Sequence, residues 1–189
     1  MDVNQIRFAI FLAVFLLMLG LEYIIQRHPT VDVKTRRLKI NLALTGIDIL
    51  VVRLFFGAAA VGAAQFAGER GWGLFNYLQW PEGLETLFCV VFLDLMIYIQ
   101  HVVVHMIPFF WRFHIVHHSD LDLDVSSGLR FHPVEILGSM LFKIGLIFAL
   151  GPSAIAVLIF EAILNGMALF SHSNITLPES LDRLLRYVI

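Results

Sequence analysis

Long apolar segments constrain this chain more than any other feature of its sequence. Hydrophobic residues make up 59% of the 189 residues and charged residues only 15%. An α-helix of about 20 apolar residues is long enough to cross the hydrocarbon core of a bilayer, and several segments reach that length. We therefore predict an all-α integral membrane bundle with about four to five membrane-embedded helices. The predicted spans are residues 7–26, 42–67 and 84–107, followed by a hairpin of 134–150 and 153–170.

Gly151 and Pro152 interrupt the last apolar segment near its middle, so a tight turn between two helices is expected there. Glu22 interrupts the end of the first segment and no small-residue cleavage site follows, which favours a membrane anchor over a signal peptide. No linker is long enough to divide the chain. We predict a single membrane domain over residues 1–189.

The segment after the first span, residues 27–41, is the most basic in the chain. The positive-inside rule places such a segment on the cytoplasmic side, where it would contact anionic headgroups. The histidines described next then all fall at or near the cytoplasmic face. A bacterial inner membrane and the endoplasmic reticulum satisfy this rule equally well. The basic residues are Arg27, Lys34, Arg36, Arg37 and Lys39.

Six of the eight histidines lie between Asp94 and His132. Two of them form H-x-x-x-H, and a four-residue step on a helix places both side chains on one face. Three more form H-x-x-H-H, whose offsets of three and four would crowd all three rings on one face of a helix. These histidines are His101 and His105, then His114, His117 and His118.

Clustered imidazoles beside hydrocarbon are costly unless they bind something, so the pattern predicts a metal site over residues 94–132. Imidazole ligands suit Zn, Cu, Fe or Ni, and the spacing does not choose among these metals. Asp94 and Tyr98 share the face of His101; Asp94 would hold the second nitrogen of a ligating imidazole, or pair as a buried acid with another polar group. Cys89 lies in an apolar run and is interpreted as a small buried hydrophobe.

Other polar residues have structural interpretations. The acidic segment 120–124 alternates aspartate with apolar residues and is predicted to be a solvated connector. Lys143 and Glu161 lie in apolar surroundings and are predicted to pair with each other. Asp48 and Arg53 are five residues apart, so each is expected to have a partner elsewhere. The net charge of −2 gives no reason to expect nucleic acid as a partner.

Four motifs follow one another in the second half of the chain. They are D-x-x-x-Y-x-x-H-x-x-x-H from Asp94, W-R-F-H-x-V-H-H-S from Trp111, R-F-H-P-x-E from Arg130 and N-x-x-x-x-F-x-H-S-N from Asn165. In this combination the chain resembles the sterol desaturase and fatty acid hydroxylase superfamily of membrane di-iron enzymes. The resemblance covers most of the chain from about Leu84 onward.

The resemblance implies an oxidoreductase that uses O2 to hydroxylate or desaturate a membrane lipid, with two Fe ions as cofactor and electrons from an external donor. Another metal such as Zn can occupy such a site during purification. His132 belongs to R-x-H-P, which recurs mainly in the sterol desaturase branch, and serves either as a ligand or outside the ligand shell. Asp94, Tyr98 and Asn165 are implied as residues that support the ligands. The implied ligands are His101, His105, His114, His117, His118 and His172.

The resemblance also implies a further H-x-x-H-H box shortly after LDRLLRYVI, where this sequence stops at Ile189. We expect the sequence to be a fragment of a longer chain. A non-catalytic membrane protein with a partial metal site is the main alternative. A metal transporter would place ligands near mid-membrane on broken helices, and a haem cytochrome would place single axial histidines on facing helices, so the clustered histidines favour neither.

Overall fold

The structure is a computed structural model, and it describes residues 3–57 and 59–187. Residues 1–2, 58 and 188–189, which the predicted domain 1–189 includes, lie outside the described residues. The described part of the chain is helical and contains no β-strand longer than an isolated bridge, which confirms the predicted all-α class. The α-helices are α1 Val3–Ile24, α2 Lys34–Phe56, α3 Ala59–Arg70, α4 Leu74–Leu78, α5 Glu82–Met106, α6 Pro108–His114, α7 Pro133–Leu150, α8 Ala154–His172 and α9 Glu179–Leu185.

Five helical segments are long and apolar enough to cross a membrane, so the protein is a membrane-embedded helical bundle. Within a bilayer a helix of this kind satisfies its backbone N–H and C=O groups internally. These segments are Gln5–Ile24, Lys34–Leu78, Glu82–Met106, Pro133–Leu150 and Ala154–His172.

Two helices and a turn replace the single span predicted for residues 42–67. α2 already begins at Lys34, inside the basic segment, and ends at Phe56. Gly57 follows with a positive φ of 58°, which glycine adopts without steric cost, and α3 begins at Ala59. The difference arises because apolar content alone does not reveal a break between two apolar helices.

The turn between α7 and α8 forms at the predicted Gly151 and Pro152. Gly151 has a φ of 64° and ends α7, and the Ser153 side chain accepts a hydrogen bond from the Ala156 N–H at 3.2 Å and caps α8. Gly73, before α4, lies against this turn so closely that a Cβ atom on it would come within 2.2 Å of the Gly151 nitrogen. The α3–α4 connection and the α7–α8 turn therefore lie at the same end of the bundle.

Small apolar side chains form the core between these helices. Ala60 and Ala64 of α3 pack with Ile147 of α7 and Val157 of α8. Cys89 is fully buried beside Leu93 in the contact between α5 and α8, as predicted for a small hydrophobe. α8 lies at the centre because it packs against α1, α3 and α5.

A buried ion-pair group connects α1, α7 and α8. Lys143 Nζ lies 3.1 Å from Glu161 Oε1, which confirms the predicted pair. Arg7 of α1 lies 3.3 Å from the second oxygen of Glu161. Because Glu161 is 3% exposed, both cations compensate a carboxylate that is otherwise surrounded by apolar side chains.

Arg37 corrects two predictions, for the basic segment and for the acidic connector. Its side chain is buried and lies 2.9 Å from Asp120, 3.2 Å from Asp122 and 2.8 Å from Asp124. The acidic segment is therefore not solvated, because its alternating carboxylates fold around one guanidinium group. Arg37 does not reach the headgroups. It fixes the loop that follows the H-x-x-H-H motif to α2.

Glu22 of α1 ties the same loop to a second segment. It is 1% exposed, and its Oε1 atom accepts hydrogen bonds from the Val125 N–H at 2.6 Å and from the Asn174 N–H at 3.0 Å. Lys34 lies 2.7 Å from the other oxygen of Glu22. The first two helices thus hold both segments that flank the histidines.

We expect Arg37→Gln to lower the free energy of unfolding by about 3–5 kcal/mol, because it leaves three aspartates without their cation. Denaturant titration in mild detergent micelles measures the loss. Arg186→Gln is the matched control, since Arg186 pairs with Asp182 in an exposed position and should contribute about 1 kcal/mol or less. Equal effects of the two substitutions would contradict the role given to Arg37.

Candidate metal centre

Four histidines bring one ring nitrogen each to a common point, with all four atoms within 4.8 Å of one another. The Nε2 atom of His105 lies 3.2 Å from that of His101, 3.2 Å from that of His114 and 3.3 Å from that of His118. The Nε2 atoms of His114 and His118 are 3.1 Å apart. These four residues are called the first histidine group.

The spacing of these nitrogens matches the ligands of one metal ion. Two nitrogens bound at about 2.0–2.1 Å to the same ion lie about 2.9–3.4 Å apart in octahedral or tetrahedral geometry. Hydrogen bonding alone does not account for these contacts. The Nε2 atom of a neutral imidazole either carries a hydrogen and donates, or has a lone pair and accepts, but does not do both. The Nε2 atoms of His105, His114 and His118 therefore cannot form a hydrogen bond along every edge of the triangle between them. The first histidine group therefore fits a bound cation.

The end of α5 and the start of α6 place these residues. His101 and His105 lie one turn apart near the end of α5, which ends at Met106. Ile107 is extended and Pro108 begins α6, so the chain folds back and His114 meets the end of α5. This fold-back at Pro108 brings the two histidine motifs together.

Glu135 fixes the orientation of His114. His114 is fully buried, and its Nδ1 atom lies 2.6 Å from Oε1 of Glu135 in the first turn of α7. Burial lowers the pKa of His114 to about 3, so the ring is neutral near pH 7. A neutral ring that donates from Nδ1 to a carboxylate presents a lone pair at Nε2, which is the form that binds a metal.

His117 and His172 form a second pair. Their Nε2 atoms are 3.0 Å apart, although the residues are 55 positions apart in the sequence. Nδ1 of His117 lies 3.1 Å from the Arg130 carbonyl oxygen, and Nδ1 of His172 lies 2.7 Å from the Ala168 carbonyl oxygen. Burial, together with the neighbouring His172, lowers the pKa of His117 to about 4.

The tautomers of this pair would suit a cation between the two rings. A carbonyl oxygen only accepts, so each Nδ1 atom must carry the hydrogen and each neutral ring has a lone pair at Nε2. Two lone pairs then face each other at 3.0 Å, an arrangement that is repulsive until a cation lies between them. Within the part of the chain that the structure describes, no third histidine, cysteine or carboxylate completes this pair as a metal-binding group.

The three histidines of H-x-x-H-H therefore do not share one helical face, contrary to the prediction. α6 ends at His114, and His117 and His118 lie in a short 3₁₀ turn, His117–Ser119. His118 turns to the first histidine group, whereas His117 turns to His172 and stacks on Phe131, with ring centroids 4.5 Å apart. The break after α6 directs adjacent side chains to two different groups.

Among the described residues, the remaining predicted site residues make no hydrogen bond or ring contact with either group. The ring of His132 contacts Phe113, and its Nδ1 atom accepts a hydrogen bond from the Val134 N–H at 3.1 Å, which caps α7. Asp94 is exposed and makes no hydrogen bond with a histidine among the described residues, and Tyr98 is 64% exposed. Asn165 is exposed and lines a cavity.

This cavity, of about 720 Å³, lies between α1, α2, α7 and α8. Its wall is mainly apolar, and it reaches Phe131, the ring that stacks on His117. α1 packs mainly on α8, whereas α2 packs on α7 and on the turn of residues 125–129. The volume is within the range of about 300–1,000 Å³ that is usual for small-molecule sites.

Sequence reasoning did not identify the groups that orient the rings. Glu135 stands in the quoted motif R-F-H-P-x-E, so its position was visible although its contact with His114 was not. The carbonyl groups of Arg130 and Ala168 leave no signal in the sequence, because every residue has one. Only the path of the backbone brings them behind the rings.

The fold and the two histidine groups define a helical membrane protein with a histidine-rich metal centre. The chain matches the fatty acid hydroxylase family over residues 86–188, more than half of its length. It belongs to this family, which confirms the predicted relationship to the superfamily.

Two curated relatives are similar to the chain. It is 28% identical over 123 residues to alkylglycerol monooxygenase of Caenorhabditis elegans, a match that covers 64% of this chain and 24% of that protein. It is 31% identical over 101 residues to ornithine lipid hydroxylase OlsE of Rhizobium tropici, covering 51% of this chain and 29% of that protein. The matches thus span about a quarter of the length of these relatives. No solved structure shows a significant match.

We expect Glu135→Ala to weaken metal binding about 10–100-fold, because His114 loses the carboxylate that fixes its tautomer. Competition between the purified protein and a chelator for Zn²⁺ measures the affinity. Glu135→Gln keeps an acceptor oxygen and should lose less. Glu179→Ala, which changes an exposed carboxylate of α9, is the control, and equal affinities of the Glu135→Ala and Glu179→Ala proteins would contradict the role of Glu135.

Proposed function

We propose that this chain is the metal-binding membrane domain, residues 1–189, of an O2-dependent di-iron oxidoreductase that hydroxylates or desaturates a membrane lipid. The observation that carries the proposal is the convergence of imidazole nitrogens in two groups. An acceptor behind the ring orients His114 in the first group and both histidines of the pair. Membership of the fatty acid hydroxylase family, and the two lipid-modifying relatives, support the reaction class.

The ligands divide between two ions. One ion would be held by the first histidine group and the second by His117 and His172, with further ligands from the H-x-x-H-H box that the family resemblance implies. When bound, iron supplies the redox chemistry that a saturated C–H bond requires, since such bonds resist acid–base attack. His132, Asp94 and Tyr98 have no ligand role in this arrangement.

The chain itself positions the substrate and restricts water. The apolar cavity adjoins Phe131 and would hold the hydrocarbon chain of a lipid beside His117. The lipid would enter the cavity sideways from the bilayer. Electrons must come from an external donor, because the sequence contains no haem or flavin motif. The proposed partners are therefore a membrane lipid, O2 and an electron-transfer protein, and no nucleic acid.

A second candidate function rests on the incomplete second pair. Two histidines are fewer ligands than a redox iron normally uses, and no third ligand of the described residues reaches them. A non-catalytic membrane protein that binds one metal in the first histidine group would have the same geometry. Metal stoichiometry and lipid analysis separate the two functions.

The metal content of the protein, purified together with the H-x-x-H-H box that the resemblance implies, tests the proposal. We expect two irons per chain, one lost in His114→Ala and the other in His117→Ala, because each of these residues belongs to one group only. Elemental analysis by mass spectrometry measures the content. His28→Ala is the matched control, since the His28 contacts to Asn174 involve only its main chain.

Lipid extracts from cells that express the protein under ¹⁸O2 complete this test. We expect a lipid that gains one ¹⁸O atom or loses two hydrogen atoms, and no such product with His114→Ala or His117→Ala. One metal per chain and unchanged lipids would instead support the non-catalytic function. A protein that retains two irons in both histidine variants would contradict the ligand assignment.

We further propose that the metal centre faces the cytoplasm, as the positive-inside rule indicates. The basic N-terminal part of α2 lies beside the loop that follows His118. Gly73 and Gly151 lie at the opposite end of the bundle. A cytoplasmic site would meet a soluble electron donor at the membrane surface.

Cysteine labelling tests this orientation. Arg36 has a side chain that is 72% exposed, and Tyr77 is 85% exposed near the opposite end. We expect a membrane-impermeant maleimide to label Tyr77→Cys, but not Arg36→Cys, in right-side-out bacterial vesicles, and the reverse in inverted vesicles. Native Cys89 is buried, so the unmodified chain provides the background. The opposite labelling pattern would overturn the proposed orientation.

A further inference from the structure

Asp48 is the one buried acid in the cavity wall that lacks a partner among the described residues. It is 6% exposed, makes no hydrogen bond or ion pair there, and its Oδ1 atom is sealed from solvent. The other acid of the wall, Glu161, is compensated by Arg7 and Lys143. Burying a carboxyl group without a partner costs free energy, so this position implies a group that the protein itself does not supply.

Asp48 lies at the end of the cavity near the metal centre. Thr45, one turn earlier on α2, donates a hydrogen bond from Oγ1 to the Leu129 carbonyl oxygen at 3.2 Å. Leu129 is two residues before Phe131, whose ring stacks on His117. A ligand group that reaches Asp48 therefore lies beside the histidine groups.

The charges around the cavity restrict which polar groups of a ligand can bind there. Arg7 and Arg53 also line the cavity, and Arg53 is exposed, so its long side chain can extend towards the interface. These two cations disfavour a cationic headgroup, and Asp48 disfavours an anionic group at its own position. An uncharged hydrogen-bond donor fits both conditions. A carboxyl group offers an acceptor oxygen in either protonation state.

We propose that the cavity binds a lipid by one hydrocarbon chain, with an uncharged donor, a hydroxyl or amide N–H, bonded to Asp48 at the metal end. Asp48 belongs to α2, outside the part of the chain that matches the fatty acid hydroxylase family. It is thus a specificity-determining residue supplied by the N-terminal helices. The assignment names the substrate class and to that extent rests on the proposed function, although binding itself requires no metal.

Competition photolabelling in phosphatidylcholine nanodiscs tests this assignment. The probe is hexadecanol with a diazirine in its chain, and the competitors are unlabelled hexadecanol and its methyl ether, which has the same chain and no donor. We expect the alcohol to compete at a mole fraction about tenfold lower than the ether, because hydrogen bonds to carboxylates are among the stronger ones. Labelled peptides should come from the cavity walls in α1, α2 and α8.

Two variants of Asp48 keep the test decisive. Asp48→Leu should remove the preference for the alcohol, and Asp48→Asn, which has nearly the same shape and keeps a carbonyl oxygen, should retain a smaller part of it. Leu50→Ala on the same helix is the control, because Leu50 is 69% exposed and does not line the cavity. Equal competition by alcohol and ether in the unmodified protein, or an unchanged preference in both Asp48 variants, would overturn the proposal.

The outcome is independent of the proposed oxygenase reaction. His114→Ala should lose metal and retain the alcohol preference. If the preference is present but no lipid is oxidised, the proposed function fails and the Asp48 site stands. If two irons bind and a lipid is oxidised without any preference for a donor, only the Asp48 site fails.

Discussion

The repulsion between imidazole lone pairs is the constraint on which the rest of this structure depends. His117 and His172 face each other through Nε2 atoms 3.0 Å apart, and each has its hydrogen committed to a backbone carbonyl behind it. His114 is committed in the same way to Glu135. A fixed acceptor thus lies behind each of these three rings, and the lone pair at Nε2 faces the neighbouring histidines. Such an arrangement persists only in a scaffold that prevents the rings from turning away.

Buried charges in the first two helices provide that scaffold. Arg37 forms ion pairs with three aspartates of the loop that follows His118. Glu22 accepts hydrogen bonds from the backbone of the same loop and from the segment after His172. The residues that match the family begin at position 86, so the helices that fix the metal segment lie outside that match. A loss of α1 or α2 would therefore release the segments that follow His118 and His172.

Apolar length and histidine spacing predicted the helical class, the α7–α8 turn and the identity of the clustered histidines, because each depends on local sequence. The division of the histidines into four and two did not follow, since it requires the fold-back at Pro108 and the break after His114. Asp94 shares a helical face with His101, yet Glu135, 21 residues from His114 in the sequence, makes the contact. Arg37 looked like a surface residue because its partners are more than 80 residues away. Contacts between residues that are far apart in the sequence could not be predicted from one sequence.

The position of the apolar cavity inside a membrane-embedded bundle changes which forces can discriminate among ligands. A lipid that enters there leaves one hydrocarbon environment for another, so removal of its chain from water, the usual source of affinity, has already happened in the bilayer. A longer hydrocarbon chain then increases the affinity of the lipid for the cavity only through shape and dispersion contacts. The free-energy difference between two lipids in the cavity must come from the few polar atoms of its wall, and occupancy follows the composition of the surrounding leaflet more than any aqueous concentration.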